Sequence, residues 1–210
     1  MATPLREPPA LHDRALQDLS FIRRTMEGAS SFTDVPGWGL VAIGVTAVVA
    51  AAVAAPQPSA GRWLVVWVVE LAVAIVIGSV MMWRKMRRRG SSEGAPPLTV
   101  PARKFLLGLL PGLAAGAALS FAMIQGVALW TPGTVVPPLL PGLWLLLYGV
   151  GVVTAGMFSV RPVPLLGLVL MALGALAVLV PKVPSAAVLG LGFGVVQIVF
   201  GVVIARRHGG

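Results

Sequence analysis

One acidic side chain, Glu70, lies inside an apolar stretch of this sequence and is the residue best placed to do chemistry. A charged group within a membrane span is costly, so such a carboxyl is treated first as a functional hypothesis. Two interpretations are open. Glu70 either couples the movement of a proton or cation to a substrate, or stays protonated and donates one structural hydrogen bond between helices.

Four further polar residues fall at a similar depth of their predicted spans. The α-helical rise places Glu70 about 12 Å from the outer end of its span, and Thr46, Ser120 and Tyr148 about 13–15 Å from theirs. Gln197 falls slightly deeper. The sequence therefore predicts one polar cluster of these five residues in the outer half of a helix bundle.

The remaining residue types exclude several kinds of site. The chain has no cysteine, which rules out disulfides, thiolate metal sites and cysteine nucleophiles. His12 and His208 both fall in predicted tails, which argues against a histidine-bound haem or metal in the bundle. No P-loop motif occurs. We therefore predict no enzymatic activity, no metal and no cofactor, while binding of a quinone, carotenoid or other lipid stays open.

Composition indicates how these residues are positioned. Hydrophobic residues make up 57% of the chain and charged residues 11%, whereas a soluble domain carries about 25% charged residues. Six apolar stretches have roughly the 17–25 residues that a membrane-spanning helix needs. We predict an all-α polytopic membrane protein with a transmembrane domain over 36–205 and spans at 36–55, 63–83, 105–130, 139–158, 165–181 and 185–205.

Lysine and arginine predict the orientation. With the N-terminus inside, 14 of the 16 basic residues fall on the cytoplasmic side, and only Arg62 and Lys182 fall outside. This distribution predicts a bacterial inner-membrane protein with both termini in the cytoplasm. It also accounts for the net charge of +9 without a nucleic-acid partner. A basic run within a predicted loop, 84–104, is expected to bind anionic lipid head groups: Arg84, Lys85, Arg87, Arg88 and Arg89.

Two tails flank the spans, a cytoplasmic N-terminal tail at 1–35 and a C-terminal tail at 206–210. The first tail lacks an apolar h-region, so no signal peptide is predicted. Leu16, Leu19 and Ile22 recur there at helical spacing, which predicts an amphipathic helix. That helix would lie in the membrane interface or pack on its own protein or a second copy, and both interpretations are open.

Small residues form stripes on two spans and predict close helix packing. The stripes are Gly108, Gly112 and Gly116 on the third span, and Gly190, Gly194 and Gly201 on the sixth. We expect these two helices to be the closely packed ones. Packing within one subunit and contact between copies of a homo-oligomer both fit the pattern.

The first and fourth spans begin alike. Pro36-Gly37 and Pro141-Gly142 stand 105 residues apart, and each pair is followed by a second glycine after seven positions. Three spans separate the two motifs, so the halves would be inverted in the membrane, as in many transporters. The sequence thus suggests an inverted 3+3 repeat, with chance similarity of common membrane residues as the alternative.

Four segments carry a family resemblance: DLSFIRRTME (18–27), SFTDVPGWG (31–39), PGLWLLLYG (141–149) and IARR (204–207). They resemble a family of bacterial six-span integral membrane proteins of uncharacterised activity. The resemblance covers most of the chain and implies six spans, with the N-terminal helix and the Pro-Gly-Trp junction as defining features. It implies no functional residues.

Two function classes follow from the sequence. The first is a non-catalytic membrane subunit, namely a scaffold, sensor or accessory protein whose N-terminal helix contacts a protein partner. The second is a small proton- or cation-coupled transporter or channel with Glu70 as the coupling residue. Convergence of the polar residues on a water-reachable cavity would favour the second.

Overall fold

The computed structural model describes residues 16, 18–22, 35–89, 100–130, 139–180 and 182–208. These residues form helices joined by turns, without a β-strand among them, which confirms the all-α prediction. The helices are α1 (Gly37–Ala54), α2 (Ala60–Arg89), α3 (Val100–Trp130), α4 (Leu140–Gly156), α5 (Pro162–Leu179) and α6 (Ser185–His208).

Five of these helices are long and apolar enough to cross a membrane. They are α1, the Ala60–Lys85 part of α2, the Val100–Ala122 part of α3, α5 and α6. The remaining helix, α4, is apolar but has 17 residues, which is at the lower limit of about 17 residues for a span. Length and composition therefore identify five candidate spans. They do not confirm the sixth predicted crossing, which corresponds to α4.

The loop predicted over 84–104 overlaps a helix at each of its two ends. Helix α2 continues through the basic run to Arg89, and α3 begins at Val100. Arginine and lysine are good helix formers, so the run extends the helix, and the first helix breaker is Gly90. Pro101 fits the first turn of α3, where its missing amide hydrogen costs nothing.

The antiparallel pair of α4 and α5 is held by glycine contacts between backbones. A Cβ built on Gly149 would lie 2.8 Å from the carbonyl oxygen of Gly167, and one built on Gly142 would lie 2.8 Å from that of Gly174. Such distances leave no room for a side chain. Helices in lipid gain stability from close van der Waals contact of this kind.

A second antiparallel pair, α1 and α6, has the same design. A Cβ on Gly44 would lie 2.7 Å from the carbonyl oxygen of Gly194, and one on Gly201 would lie 2.8 Å from that of Gly37. The two glycines of each helix are again seven positions apart. The first and last helices of the bundle are thus joined in the same way as α4 and α5.

These contacts account for the similarity between the first and fourth spans without an inverted repeat. Gly44 packs on α6, whereas its sequence equivalent Gly149 packs on α5. An inverted 3+3 repeat would instead place Gly149 against α3, the counterpart of α6. The repeat is not confirmed, and the shared motif marks antiparallel glycine packing.

Helices α2 and α3 lie at the edges of this four-helix centre. Helix α2 packs beside α1, and α3 packs beside α4. Only 6% of the apolar window of α2 and 11% of that of α3 is buried within the chain, against 39% for α5. Val65, Val69 and Val76 of α2 are among its exposed apolar residues. Lipid or another membrane helix must cover these faces.

Helix α6 contains a π-helical segment, Gly190–Val196, between two α-helical parts. Such wide turns are rare, and they occur often at functional sites. Three glycines in the segment permit close approach, since a Cβ on Gly192 would lie 2.5 Å from the Leu145 side chain. The wide turn presents Phe193 to the centre of the bundle.

The predicted N-terminal amphipathic helix is described in part. Leu16 and residues 18–22 are helical, and the rest of the predicted helix lies outside the described residues. Leu16, Leu19 and Ile22 are each more than half exposed. Their apolar face is therefore not buried against the described bundle.

Candidate functional site

Glu70 is paired with Thr46 across the contact between α1 and α2. The Thr46 hydroxyl lies 2.8 Å from Oε1 of Glu70 and 2.9 Å from the carbonyl oxygen of Ile43. The carboxyl group is half-buried. A hydroxyl has one proton and can donate to only one of these two oxygens. When Thr46 donates to Ile43, the contact with Glu70 needs a proton on the carboxyl, which fits a protonated, structural Glu70.

Ser120 forms a second polar pair, between α3 and α4. Its hydroxyl accepts a hydrogen bond from Nε1 of Trp144 at 2.7 Å and donates one to the carbonyl oxygen of Gly116 at 2.7 Å. Both the indole donor and the hydroxyl proton are therefore satisfied. This pair fastens α3 to α4.

Tyr148 and Gln197 form a third pair, between α4 and α6, in which the two side chains hydrogen-bond to each other. Gln197 is 2% exposed and is the one polar residue among the described residues that is buried as a whole. It begins the part of α6 that follows the π-helical segment.

The predicted cluster therefore separates into three pairs at three helix contacts. No hydrogen bond found among the described residues joins Glu70 and Thr46 to the other members. The depth argument predicted one cluster and did not predict these pairs, one of which joins Ser120 to Trp144, outside the predicted set. It could not show which face of each helix the residues occupy.

An aromatic cluster, which the sequence analysis missed, lies between these pairs. It consists of Trp63 and Trp67 on α2, Trp144 and Tyr148 on α4, and Phe193 on α6. The rings of Trp63 and Trp144 stack at 5.7 Å between centroids, and Phe193 lies 6.5 Å from Trp67 and 5.3 Å from Tyr148. These rings fill the space between α2 and the other two helices.

A sequence signal for this cluster exists. Trp63 and Trp67 are four residues apart, as are Trp144 and Tyr148, so each pair lies on one face of its helix. Tryptophan favours membrane interfaces, and the predicted span 63–83 has Trp63 at one end and Trp83 at the other. Trp63 is 6% exposed and belongs to the protein interior, whereas Trp83 is 51% exposed.

Two buried polar atoms next to this cluster have no hydrogen-bond partner among the described residues. They are Nε1 of Trp67, a donor, and Oε1 of Gln197, an acceptor. The third such atom, Nδ1 of His208, lies at the far end of α6. Buried polar groups are almost always paired, so each exception needs an explanation.

The predicted glycine stripes pack closely, but not against each other. A Cβ on Gly108 of α3 would lie 2.8 Å from the backbone nitrogen of Ala155 in α4, and Gly112 faces Leu147 and Gly151 of the same helix. Gly116 faces open space. The stripe on α6 contacts α1 instead, through Gly190, Gly194 and Gly201. The expected mutual packing of the third and sixth spans is replaced by two separate contacts.

The basic run at the end of α2 has contacts within the chain. Nζ of Lys85 donates a hydrogen bond of 3.0 Å to the carbonyl oxygen of Val35, just before α1. The guanidinium of Arg87 lies 3.8 Å from the ring centroid of Trp83. Arg84 is exposed, and the side chains of Arg88 and Arg89 lie outside the described residues. Lys85 thus connects α2 to the residues that precede α1, and it is also a candidate lipid anchor.

Comparison with known protein families, with curated proteins and with solved structures finds no match. Within the described part of the chain, no three histidine, cysteine or acidic residues are grouped in a way that could hold a metal ion.

Proposed function

We propose that this chain is a non-catalytic integral membrane subunit, which acts as a scaffold, sensor or accessory protein of a membrane complex. The observation that carries the proposal is the contrast between polar side chains that bond to one another across helix contacts and one helix, α2, whose outer apolar face the chain leaves exposed. Glu70, Ser120 and Tyr148 each form a side-chain hydrogen bond with a residue of a neighbouring helix. In α2, by contrast, only 6% of the apolar window is fully buried, and Val65, Val69 and Val76 are exposed.

We further propose six crossings of a bacterial inner membrane, with both termini in the cytoplasm. The glycine contacts support alternating helix directions, because Gly37 faces Gly201 and Gly142 faces Gly174. This alternation gathers basic residues at one end of the bundle: Lys85 and Arg87 of α2, Arg103 and Lys104 of α3, Arg161 before α5, and Arg206 and Arg207 of α6. A basic end is expected on the cytoplasmic side.

The test of the subunit proposal is native mass spectrometry on protein extracted gently from its own membrane. We expect a complex of fixed stoichiometry that contains other polypeptides. Val69→Trp and Val76→Trp enlarge exposed residues of α2 and should dissociate that complex. Leu168→Trp and Leu176→Trp are matched controls on α5, whose side chains are similarly exposed, and should leave it intact. A lone monomer or homo-oligomer would contradict the proposal.

A second candidate is the proton- or cation-coupled transporter or channel. It is favoured by one observation, namely that Glu70 remains half-exposed beside its Thr46 contact rather than sealed in the core. Flux into proteoliposomes by wild-type protein that is abolished by Glu70→Gln, without loss of folded protein, would establish it. A stability change without any flux would leave the subunit proposal in place.

A further inference from the structure

The turn between α4 and α5 presents an arginine outward from a fixed backbone. The amides of Phe158 and Val163 donate hydrogen bonds of 3.2 and 2.9 Å to the carbonyl oxygens of Ala155 and Val160. Val160 and Val163 are buried, whereas Arg161 between them is exposed. Packing of the two valines therefore holds Arg161 at the surface of the bundle.

Helix α3 brings a second cation to this turn. Nζ of Lys104 lies 5.7 Å from the ring centroid of Phe158. One helical turn further along α3, Gly108 meets the backbone of Ala155, which fixes the start of α3 against the end of α4. Arg161 follows Phe158 by three residues, so their Cα atoms are at most about 11 Å apart. Both cations therefore border the same aromatic ring.

The half of the chain that builds this surface supplies no negative charge. No aspartate or glutamate follows Glu93 in the sequence, whereas Lys104 and Arg161 both do. Helices α3 to α6 therefore contribute only basic groups to their charged end. The group that complements this surface is an anion from outside these helices.

Next to the two cations, the outward face of α4 forms an exposed strip. Ala155 faces α3 and Gly149 faces α5, so the strip lies between these two helices. It contains Val150, 44% exposed, and Met157, 75% exposed, which are two helical turns apart. The hydroxyl of Thr154 between them donates to the carbonyl oxygen of Val150 in the same helix. A cationic rim beside such a strip suits an amphipathic ligand with an acidic head group and hydrocarbon chains.

We propose that Lys104 and Arg161 bind the phosphodiester of an anionic phospholipid, whose acyl chains cover the outward face of α4. Ammonium and guanidinium groups donate charge-assisted hydrogen bonds to phosphate oxygens. Basic groups between membrane helices bind anionic head groups in this way. A phosphatidylcholine head group adds a cation of its own, which the two basic residues repel, so the site prefers phosphatidylglycerol.

This site goes beyond the proposed subunit role and does not depend on it, because the exposed face of α2 takes no part. It is also separate from the predicted lipid anchor at 84–89, which lies at the end of α2. The lipid would instead fill the outer surface of α3, α4 and α5. Each of these three helices contributes a part that the sequence alone does not bring together.

The test is native mass spectrometry of the delipidated full chain in a neutral detergent, titrated with palmitoyl-oleoyl phosphatidylglycerol or with the phosphatidylcholine of the same chains. Phosphatidylglycerol should bind about 25-fold more tightly, because each basic residue near the head group contributes about fivefold. Lys104→Gln and Arg161→Gln should each weaken phosphatidylglycerol binding about fivefold and leave phosphatidylcholine binding unchanged.

The matched control is the double variant Arg206→Gln/Arg207→Gln, which removes two exposed cations from the basic end of α6. These residues follow Ala205, which packs on Gly37 of α1 and not on the α4–α5 turn. Its affinity for phosphatidylglycerol should stay within about twofold of the wild type. The double variant Lys104→Gln/Arg161→Gln, with the same change in charge, should lose the whole preference for phosphatidylglycerol.

The source of the anion is tested by competition. Glycerophosphoglycerol, which is the head group without acyl chains, should not displace phosphatidylglycerol even in large excess, because it cannot cover the apolar strip. Displacement would mean that the site takes a free phosphodiester, and the lipid assignment would be wrong.

Three further results would overturn the site. One is equal affinity for the two lipids. Another is a loss in Arg206→Gln/Arg207→Gln as large as in Lys104→Gln/Arg161→Gln, which would leave only a general attraction of the basic end for anionic lipid. The third is unchanged affinity in a folded Lys104→Gln or Arg161→Gln protein, with helicity checked by circular dichroism. If one of these variants fails to fold, the other variant and the comparison of the two lipids still decide the question.

Discussion

The α4–α5 pair and the edge helix α2 are held to the molecule in opposite ways. Between α4 and α5 the backbones themselves touch, and a Cβ on Gly149 would meet the carbonyl oxygen of Gly167 at 2.8 Å. Helix α2 is attached by side chains, namely the Thr46–Glu70 contact, the Lys85–Val35 hydrogen bond and the stacked tryptophan rings.

This difference indicates which helices have a fixed position relative to each other. A backbone contact has no alternative partner, so α4 and α5 form a fixed unit. Side-chain hydrogen bonds can be exchanged for bonds to another group, and long aromatic side chains can change rotamer. Helix α2 is therefore the element that a partner or ligand can reposition, and it carries Glu70, Trp67 and the uncovered apolar face together.

The largest expected effect comes from breaking the fixed unit. Gly149→Leu places a side chain against the backbone of Gly167 and against Met171, which would have to move apart. Overpacking of a tight contact costs about 3 kcal/mol. We expect the free energy of unfolding to fall by about this amount. Unfolding in mixed micelles by increasing SDS, followed by circular dichroism, measures it.

The matched control is Gly116→Leu in α3, where a Cβ would meet no other atom within 4 Å. Leucine is also a better helix former than glycine. This variant should unfold like the wild type or slightly later. If both leucines destabilise the protein equally, the cost lies in the substitution itself, and the distinction between fixed and open glycines is lost.

A smaller effect is expected from the polar contact of α2. A double-mutant cycle of Thr46→Val and Glu70→Ala should give a coupling energy of about 1 kcal/mol, because hydrogen bonds between membrane helices contribute about this much. Glu70→Gln should lose less than Glu70→Ala, since the amide can still bond to Thr46. The measurement is the same SDS unfolding, on all single and double variants.

Thr154→Val is the control for this cycle. Its hydroxyl donates to the carbonyl oxygen of Val150 in the same helix, so its removal separates no helices. Its coupling with Glu70→Ala should be zero within error. A coupling near zero for Thr46 as well would mean that α2 is held by its aromatic rings alone.

The helix content was predictable from sequence, whereas the helix partners were not. Apolar runs and Pro184 delimit most of the spans, whereas the basic run after residue 83 was predicted as a loop and belongs to α2. Glycine stripes were recognised on α3 and α6, but the periodicity of one helix does not identify the helix that faces it. The pairing of Gly44 with Gly194 and of Gly149 with Gly167 needed the tertiary arrangement.

For the candidate site, too, one part was predictable from the sequence and another was not. Depth along a helix follows from residue number, so Glu70 and Thr46 were expected at a similar depth, and their side chains are in contact. Rotation about the helix axis relative to neighbours does not follow, so the five polar residues were expected in one cluster instead of three pairs. Tryptophan generally favours the membrane interface, whereas Trp63 is buried against Trp144.

The smallest expected effect concerns Lys85, which is both a tie within the chain and a candidate lipid anchor. Lys85→Met removes the donor to the carbonyl oxygen of Val35 and should lower the free energy of unfolding by about 0.5 kcal/mol. Arg84→Met, at the exposed neighbouring position, should change little in neutral bicelles. The two roles are separated by repeating both measurements in bicelles that contain anionic lipid.

If Lys85 acts through its hydrogen bond to Val35, Lys85→Met should lower the free energy of unfolding equally in neutral and in anionic bicelles, because Val35 is present in both. A head-group anchor predicts that the effect grows with anionic lipid, as it should for Arg84→Met. Equal lipid dependence of the two variants would therefore contradict the Lys85–Val35 contact as a fastening of α2. The polar contact between α2 and α1 would then be mainly that of Thr46 with Glu70. A partner that moves α2 would have to replace this hydrogen bond.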